Sequence, residues 1–196
     1  AILSKPPGQS TLFQIIPRIC QCSKPVITCF LGFKGDLPQD NLRYQAASTL
    51  DEAAALAVQM ATGQLPSFSK ADSTESMVFI QRERAGKRPE QKYIRGIFAG
   101  GTFCYQAQQI LKDEGTIVHS NIPLEGNLQL SDPWHSIEHT LVDMGADEFT
   151  AGRPHPMIDP RLRHERILAE GEDSEVAILL LDFVLGFNTS LDPAGD

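Results

Sequence analysis

The sequence predicts an α/β fold in which helices cover doubly wound parallel sheets. Short β-rich apolar runs alternate along the chain with segments of helical spacing, which is the order of elements in parallel sheets. A glycine-rich turn at Gly100-Gly101 joins one such run to a helical segment. A later run, from Val176 to Leu185, is apolar on both faces except at Asp182, and this pattern predicts a central strand.

The first third of the chain contains a β-rich run between two segments of helical spacing. Val26 to Leu31 predicts a buried strand, since breakers flank it on both sides. The preceding segment, Thr11 to Cys20, has apolar residues at helical spacing but contains a proline. The following segment, Ser48 to Ala61, predicts a helix with a capping box at Thr49 and a terminal glycine at Gly63.

The stretch between residues 66 and 90 lacks a clear periodicity. Serines, arginines, Gly86 and Pro89 crowd it, and this composition predicts a linker or a variable connection. Met77 to Ile80 is an apolar run inside the stretch, so it is a candidate short strand. The basic side chains near it have no aromatic residue among them, which indicates a solvated segment rather than a nucleic-acid site.

The second half of the chain continues the alternation of strand and helix. Tyr93 to Phe98 predicts a strand, and His139 to Met144 predicts another. Asp159-Pro160 places an N-cap residue before a proline at the first helical position, so a helix is expected from there to Gly171. The helix after the glycine turn is expected to carry an apolar stripe at Phe103, Ala107, Ile110 and Leu111.

Composition and charge narrow the class of protein. The chain has 196 residues and a net charge of −8, so an extended nucleic-acid backbone would be repelled on average. The longest apolar run, Val176 to Leu181, is too short to cross a bilayer, and the first residues do not form a signal peptide. We expect a cytoplasmic protein with reduced thiols. No metal site is predicted, because His135 and His139 lack a supporting ligand pattern.

The most informative candidate site is the turn formed by Gly100, Gly101 and Thr102. Glycines at a strand-to-helix turn let the backbone approach a ligand closely, and the free amides of a helix N-terminus favour an anion. The turn lacks the full dinucleotide fingerprint and the lysine of a P-loop. Two interpretations stay open: the turn binds a small anion, or its glycines only permit a tight bend.

The loop after the strand at His139 to Met144 carries further candidates. At the ligand-binding edge of an α/β sheet, Arg153 could grip a carboxylate or phosphate and His155 could move a proton. The alternative is that Arg153 pairs with Asp147 inside a rigid loop. Asp182, near the end of the last apolar strand, is either a buried acid with a raised pKa or a structural acid bonded to loop amides.

Several blocks of the sequence resemble FdrA-type proteins, which are similar to the α subunit of succinyl-CoA synthetase. The most specific block is Gly152-Arg153-Pro154-His155-Pro156-Met157-Ile158-Asp159-Pro160. Corroborating blocks lie at residues 3–7, 24–32, 95–102 and 180–186. The resemblance covers nearly the whole chain except the stretch from about Pro66 to Glu90.

The resemblance implies flavodoxin-like, three-layer α/β/α lobes, of which this chain contains two incomplete ones. Residues 1–65 would be the C-terminal part of a first ligase lobe, 66–90 the linker, and 91–196 the N-terminal part of a second lobe. Family members are longer, so the chain is expected to be an internal fragment. Coenzyme A or a nucleotide is implied for the full-length protein, with none assigned to this stretch. The pairing of lobes across subunits implies an oligomer or a multi-subunit enzyme.

A histidine that matters in the related enzymes is missing here. In succinyl-CoA synthetase a histidine in a Gly-His-Ala-Gly segment carries phosphate, and a turn resembling Gly100-Gly101-Thr102 presents helix amides to it. Where that segment should follow Gly32, this sequence has Arg43-Tyr44-Gln45-Ala46-Ala47 and no histidine. The resemblance therefore supports an anion site at the turn but not a phosphohistidine.

Three functions follow as hypotheses. The first is an acid–thiol ligase, an acyl-CoA synthetase subunit that handles a carboxylate through an acyl phosphate or a coenzyme A thioester. The second, which the missing histidine favours, is an oxamate carbamoyltransferase-type subunit that uses carbamoyl phosphate. The third is a non-catalytic lobe that assembles other subunits. The first two share a small anionic substrate and the same candidate residues: Gly100, Gly101, Thr102 and Arg153 for the anion, and His155 and Asp182 for catalysis.

Overall fold

The computed structural model describes residues 1–33, 35, 37, 43–66, 74–189, 191–193 and 195. The chain divides into two compact units, Ala1–Lys70 (unit 1) and Ala71–Asp196 (unit 2). Each unit has its own sheet, and the strand pairs of both sheets are parallel. This confirms the predicted α/β class with parallel sheets. No helix in the described ranges is long and apolar enough to cross a membrane.

The described residues of unit 1 form a three-stranded sheet and two helices. In chain order its elements are β1 Ile2–Ser4, α1 Gln9–Cys20, β2 Val26–Phe30, β3 Tyr44–Ala47 and α2 Leu50–Thr62. The strand order is β1-β2-β3, so the strand predicted before Gly32 is central. The apolar face of α1 packs against Phe30 and Tyr44, which explains the helical spacing of that segment despite Pro17.

The ends of α2 carry the predicted caps. Thr49 Oγ1 accepts a hydrogen bond from the Glu52 amide at 3.2 Å, and Gly63 ends the helix at φ 76°. The Glu52 carboxylate reaches back to the Thr49 amide, as predicted, and also to the amide and hydroxyl of Ser48 at 2.8 and 2.7 Å. These bonds lower the pKa of Glu52, because they stabilise its charged form.

Unit 2 contains a five-stranded sheet. In chain order its elements are α3 Thr74–Gly86, β4 Tyr93–Phe98, α4 Gly101–Asp113, β5 His119–Ser120, β6 Leu128–Gln129, β7 Thr140–Asp143, α5 Asp147–Thr150, α6 Arg161–Glu172 and β8 Val176–Leu181. The strand order is β6-β5-β7-β4-β8. β4 and β7 are paired, and Phe98 lies opposite Asp143. Both are predicted strands, and the structure makes them neighbours in the sheet.

Helices cover both faces of this sheet, which gives the predicted three-layer arrangement. On one face Phe98 and Leu141 pack with Cys104 of α4. On the other face Ile97 and Val142 pack with residues of α5 and α6. Because successive residues of a strand point to opposite faces, the two apolar layers come from alternate positions of β4 and β7.

Among the described residues the last apolar strand lies at the edge of the sheet, whereas the sequence predicts a central strand. β4 is the only neighbour of β8 within the described residues. One face of the strand is open, with Ile178 46% and Leu180 37% exposed. An apolar run on both faces is typical of central strands, but here the same composition occurs at an edge. The strand ends at Leu181, so Asp182 follows it.

Two further local predictions differ from the structure. The candidate strand at Met77–Ile80 is part of α3, whose sequence is rich in helix-forming residues. The expected stripe of α4 is divided, because Cys104 and Gln108 are buried whereas Phe103 and Ile110 are about half exposed. Within the predicted linker, residues 67–73 lie outside the described part of the chain. The lobe boundaries at residues 65 and 91 stay a prediction.

Candidate functional site

The carboxyl ends of β4 and β7 meet where the chain connections change direction. After β4 the chain passes through α4 to β5 on one side, and after β7 it passes through α6 to β8 on the other side. Neighbouring strands whose crossovers leave in opposite directions open a crevice between their carboxyl ends, and α/β proteins bind ligands there. The residues that follow Phe98 and Asp143 form this crevice.

The glycine turn forms the β4 side of the crevice. Gly100 is extended at φ −162° and is the N-cap of α4, and as a glycine it has no side chain with which to cap the helix. A methyl group on Gly100 would meet open space, so no described atom fills that side of the turn. The first N–H groups of an α-helix have no intrahelical acceptor, and here they include those of Gly101 and Thr102.

The Asp143 carboxylate lies beside the turn, on the β7 side of the crevice. Its Oδ1 accepts a hydrogen bond from the Gly145 amide at 2.8 Å. Its Oδ2 is 2.9 Å from the position that a Cβ on Gly101 would occupy, which explains the glycine there. Asn121 fixes the backbone of Asp143, since it donates to the carbonyl at 3.0 Å and accepts from the amide at 2.9 Å.

His155 reaches the same place from the loop after β7. Its Nδ1 accepts a hydrogen bond from the Met157 amide at 3.2 Å, so in the neutral ring the hydrogen is on Nε2. A Cβ on Gly145 would lie 2.6 Å from this Nε2. The same position is 2.8 Å from the Ala99 carbonyl oxygen and 3.1 Å from Asp143 Oδ1. The structure therefore brings His155 close to the residue that precedes the glycine turn.

Asp182 is at the same edge but belongs to an ion pair. Its Oδ1 accepts hydrogen bonds from the Ala99 amide at 2.7 Å and from the Arg163 guanidinium at 2.9 Å. Its Oδ2 is buried and has no hydrogen-bond partner among the residues that the structure describes. Arg163 also donates to the Ile97 carbonyl, so the pair joins the ends of β4 and β8. These contacts fit the structural interpretation of Asp182, and its catalytic role stays a prediction.

Arg153 lines a separate cleft of about 330 Å³, formed by the loop before α6 and by α6 itself. The predicted alternative, an ion pair with Asp147, is not formed within the described ranges. Neither the glycine turn nor Asp182 lines this cleft. The structure thus places Arg153 and His155 on one loop but does not bring Arg153 into a cavity with the turn.

Asp143, Gly145 and Asn121 belong to the site although sequence reasoning gave them no role. Asp143 lies inside the predicted strand, which extends to Met144. In the structure β7 ends at Asp143, so this residue is at the end of the strand. Asn121 follows β5, which has only two residues and is too short for a periodicity signal. Their position in the sequence could have revealed them, because polar residues that follow parallel strands lie together at the carboxyl edge of the sheet. No group of three or more potential metal ligands occurs in the part of the chain that the structure describes.

Known proteins match the part of the chain that contains this site. Residues 97–196, slightly more than half of the chain, match the profile of a family described as CoA-ligase. The chain is also similar to YahF of Escherichia coli (strain K12), a protein described as uncharacterized, with 40% identity over 195 residues. That similarity covers 100% of this chain and 37% of YahF, so the chain spans little more than a third of that relative.

Proposed function

The chain belongs to the CoA-ligase family, and from this premise we propose that it is part of an acyl-CoA synthetase similar to succinyl-CoA synthetase. An enzyme of this class joins a carboxylate to the thiol of coenzyme A through an activated, anionic acyl group. Within that reaction, we propose that unit 2 binds the anionic group in the crevice between β4 and β7. The segment at residues 152–160 supports the finer proposal of an FdrA-type protein.

The observation that carries this proposal is a glycine N-cap at the start of α4, at the point where the connections change direction. A helix N-terminus carries about half a positive elementary charge, and its first amides have no acceptor within the helix. Gly100 leaves room for a ligand to approach the backbone. These features suit a small anion such as a phosphate group.

Asp143 and the net charge of −8 oppose the binding of an anion. Two hydrogen bonds from amides to a charged ligand contribute about 3–6 kcal/mol. The Asp143 carboxylate repels a second anion at this turn, since its Oδ2 is 2.9 Å from the Cβ position of Gly101. Charges further away on the surface are screened by salt. Because Asp143 offsets part of what the amides contribute, we expect modest rather than tight binding.

His155 is suited to move a proton rather than to carry a phosphoryl group. The Met157 N–H occupies the lone pair of its Nδ1, and in the neutral ring its Nε2 carries the hydrogen. A nitrogen nucleophile needs an open lone pair, which this arrangement does not offer. When the ring takes up a second proton, its Nε2 hydrogen can instead be given to an oxygen of the bound anion or of a leaving group, and the ring returns to its neutral form. We therefore propose His155 as the general acid of the site.

An oxamate carbamoyltransferase-type function is the second candidate, because a sequence feature favours it. Residues 31–60 contain no histidine, so the segment that resembles the first lobe lacks a phosphate carrier. Carbamoyl phosphate is already activated, and its transfer requires an anion site and a proton donor but no phosphorylated enzyme. In this proposal, the crevice and His155 would have those two roles.

Substitution of Gly100 tests the anion site. An Asp at the N-cap both occupies the first amides of the helix and adds a negative charge. We expect Gly100→Asp to bind inorganic phosphate and acetyl phosphate at least tenfold more weakly than the wild type, as measured by isothermal titration calorimetry. Gly8→Asp is the matched control, because Gly8 is also an uncapped N-cap in open space, at α1 of unit 1. It should leave phosphate affinity unchanged.

The outcomes separate the candidate functions. Equal phosphate affinity in G100D and the wild type would refute the anion site. Formation of an acyl-CoA from a carboxylate and coenzyme A by the full-length protein supports the synthetase, and carbamoyl transfer from carbamoyl phosphate to oxamate supports the second candidate. Phosphate binding without either activity would favour the third hypothesis, a lobe that assembles other subunits.

A further inference from the structure

The Arg153 cleft is lined by both apolar and charged residues. Met144 and Phe149 form part of its wall but are almost fully buried, at 2% and 3% exposed. Phe149 is held in place by an edge-on contact with Trp134, with 4.9 Å between ring centroids. Further apolar surface comes from Pro154, Pro156 and Leu162. A volume of about 330 Å³ lies at the lower end of the range for small-molecule pockets, so the cleft fits a small ligand with an apolar body.

The loop that bears Arg153 is held in shape by its own backbone. The Arg153 amide donates to the Thr150 carbonyl at 3.0 Å. The Ile158 and Asp159 amides both donate to the His155 carbonyl, at 2.8 and 3.0 Å. A preformed loop has less conformational freedom to lose when a ligand binds, which favours binding by a small molecule with few contacts.

Positive and negative side chains line the cleft in equal number, but not all of them have a charged partner. Asp159 binds Arg161 through both carboxylate oxygens, at 2.9 and 2.6 Å, and this pairing lowers the pKa of Asp159 to about 2. Glu165 also interacts electrostatically with Arg161. Arg153 forms no ion pair with any residue that the structure describes, and its guanidinium has donors to spare. Arg153 is therefore the group in the cleft that a ligand can engage.

We propose that this cleft binds a monocarboxylic acid with a short apolar body, with its carboxylate on Arg153 and its body against Pro154, Pro156 and Leu162. Guanidinium and carboxylate match as a pair of parallel hydrogen bonds, and the apolar body gains from burial. The inference deepens the proposed function, on which it rests for the role of the bound acid as the acyl substrate.

The position of the cleft agrees with that role. Pro154 and Pro156, which line it, flank His155, whose Nε2 lies beside Gly145. Met144, in the wall of the cleft, directly precedes Gly145. An acid bound here is thus a neighbour of the crevice in which the activating anion is proposed to bind.

Two other classes of anion fit the cleft less well. A dicarboxylate would bring a second negative charge into a cleft that Asp159 and Glu165 also line, and it would be repelled. A phosphorylated ligand carries nearly two negative charges, and it would be repelled because Arg161 cannot neutralise both Asp159 and Glu165. A single carboxylate is the charge that Arg153 can match.

A series of carboxylates of increasing length tests both parts of the proposal. Acetate, butyrate, hexanoate and succinate are titrated into the full chain by calorimetry. We expect affinity to rise about fourfold for each added methylene group, and succinate to bind more weakly than butyrate. Arg153→Gln should weaken hexanoate binding at least tenfold. Arg82→Gln, which removes an exposed cation of α3, is the matched control and should leave it unchanged.

The same variants separate this inference from the proposed function. Equal affinity for acetate and hexanoate, or an unchanged affinity for hexanoate in R153Q, would overturn the proposal that the cleft binds a monocarboxylic acid. If R153Q loses hexanoate while phosphate binding still responds to G100D, both sites are supported. If R153Q loses hexanoate but phosphate binding does not respond to G100D, the cleft is supported and the anion site is not. Thermal melts of each variant exclude unfolding as the cause.

Discussion

Arg163 on α6 and Asp182 after β8 form a buried ion pair, with 2.9 Å between Nη2 and Oδ1. Their side chains are 6% and 8% exposed. Because Arg163 also donates to the Ile97 carbonyl and Asp182 accepts from the Ala99 amide, the pair encloses the end of β4. The glycine turn begins directly after this point, so the pair positions the proposed anion site.

Replacing Asp182 by Asn should lower the free energy of unfolding of unit 2 by about 3 kcal/mol. Asn keeps an acceptor for the Ala99 amide but leaves the Arg163 charge buried without an opposite charge. Urea denaturation followed by fluorescence measures the loss in unit 2, since the single tryptophan, Trp134, is located there. Arg161→Gln breaks an exposed pair and should change little. A wild-type midpoint in D182N would show that the charge of Asp182 is not needed there.

Gly145→Ala should disrupt the site from its centre. The added methyl group would lie 2.6 Å from His155 Nε2 and 2.8 Å from the Ala99 carbonyl oxygen, and the second contact is with backbone that cannot easily move. We expect unit 2 to lose about 1–3 kcal/mol of unfolding free energy. Gly86→Ala is the control, because it adds a methyl group to open space at the end of α3. Equal stability of the two variants would mean that Gly145 is not a packed position.

The order of elements in unit 2 could be predicted from the sequence because each main strand is a β-rich apolar run between breakers. The position of a strand within the sheet could not. β8 has the composition of a central strand, and only pairing with β4 shows that it lies at the edge. Strand composition reports how apolar the surroundings are, whereas strand order depends on contacts between residues far apart in the chain.

The candidate site was predictable where a local rule exists. Glycines in a strand-to-helix turn indicated the bend at Gly100, and the loop after a strand indicated Arg153 and His155. Asp143 was not predictable as a neighbour of Gly101, because their proximity arises from the pairing of β4 with β7. The partner of Asp182 was likewise hidden, since Arg163 comes from a different element and meets it only in the folded unit.

The cap of α2 should show a stability that depends on pH. The pKa of Glu52 is lower in the folded chain than in the unfolded chain, because the Ser48 amide and hydroxyl donate to the carboxylate. The resulting stability is present above the unfolded pKa of Glu52 and is lost as the pH falls through the folded pKa. Hydrogen exchange of the α2 amides in the wild type and in Glu52→Gln measures it. The two proteins should differ at neutral pH and converge in acid.

Thr49→Ala is the matched control for this cap. It removes an uncharged acceptor from the start of the same helix, so it should cost about 1 kcal/mol at both neutral and acidic pH. A difference between wild type and E52Q that stays constant with pH would mean that the charge of Glu52 does not contribute.

His155→Asn separates a proton donor from a structural histidine. The Asn side-chain oxygen can accept the Met157 N–H in place of Nδ1, so the loop keeps this contact, but the variant has no ring hydrogen to give. We expect turnover in the full-length protein to fall about a hundredfold or more, while phosphate affinity changes little. His135→Asn, at an exposed histidine, should retain full turnover. Full activity in H155N would limit His155 to holding the loop, and a parallel loss of phosphate affinity would instead assign it to binding the anion.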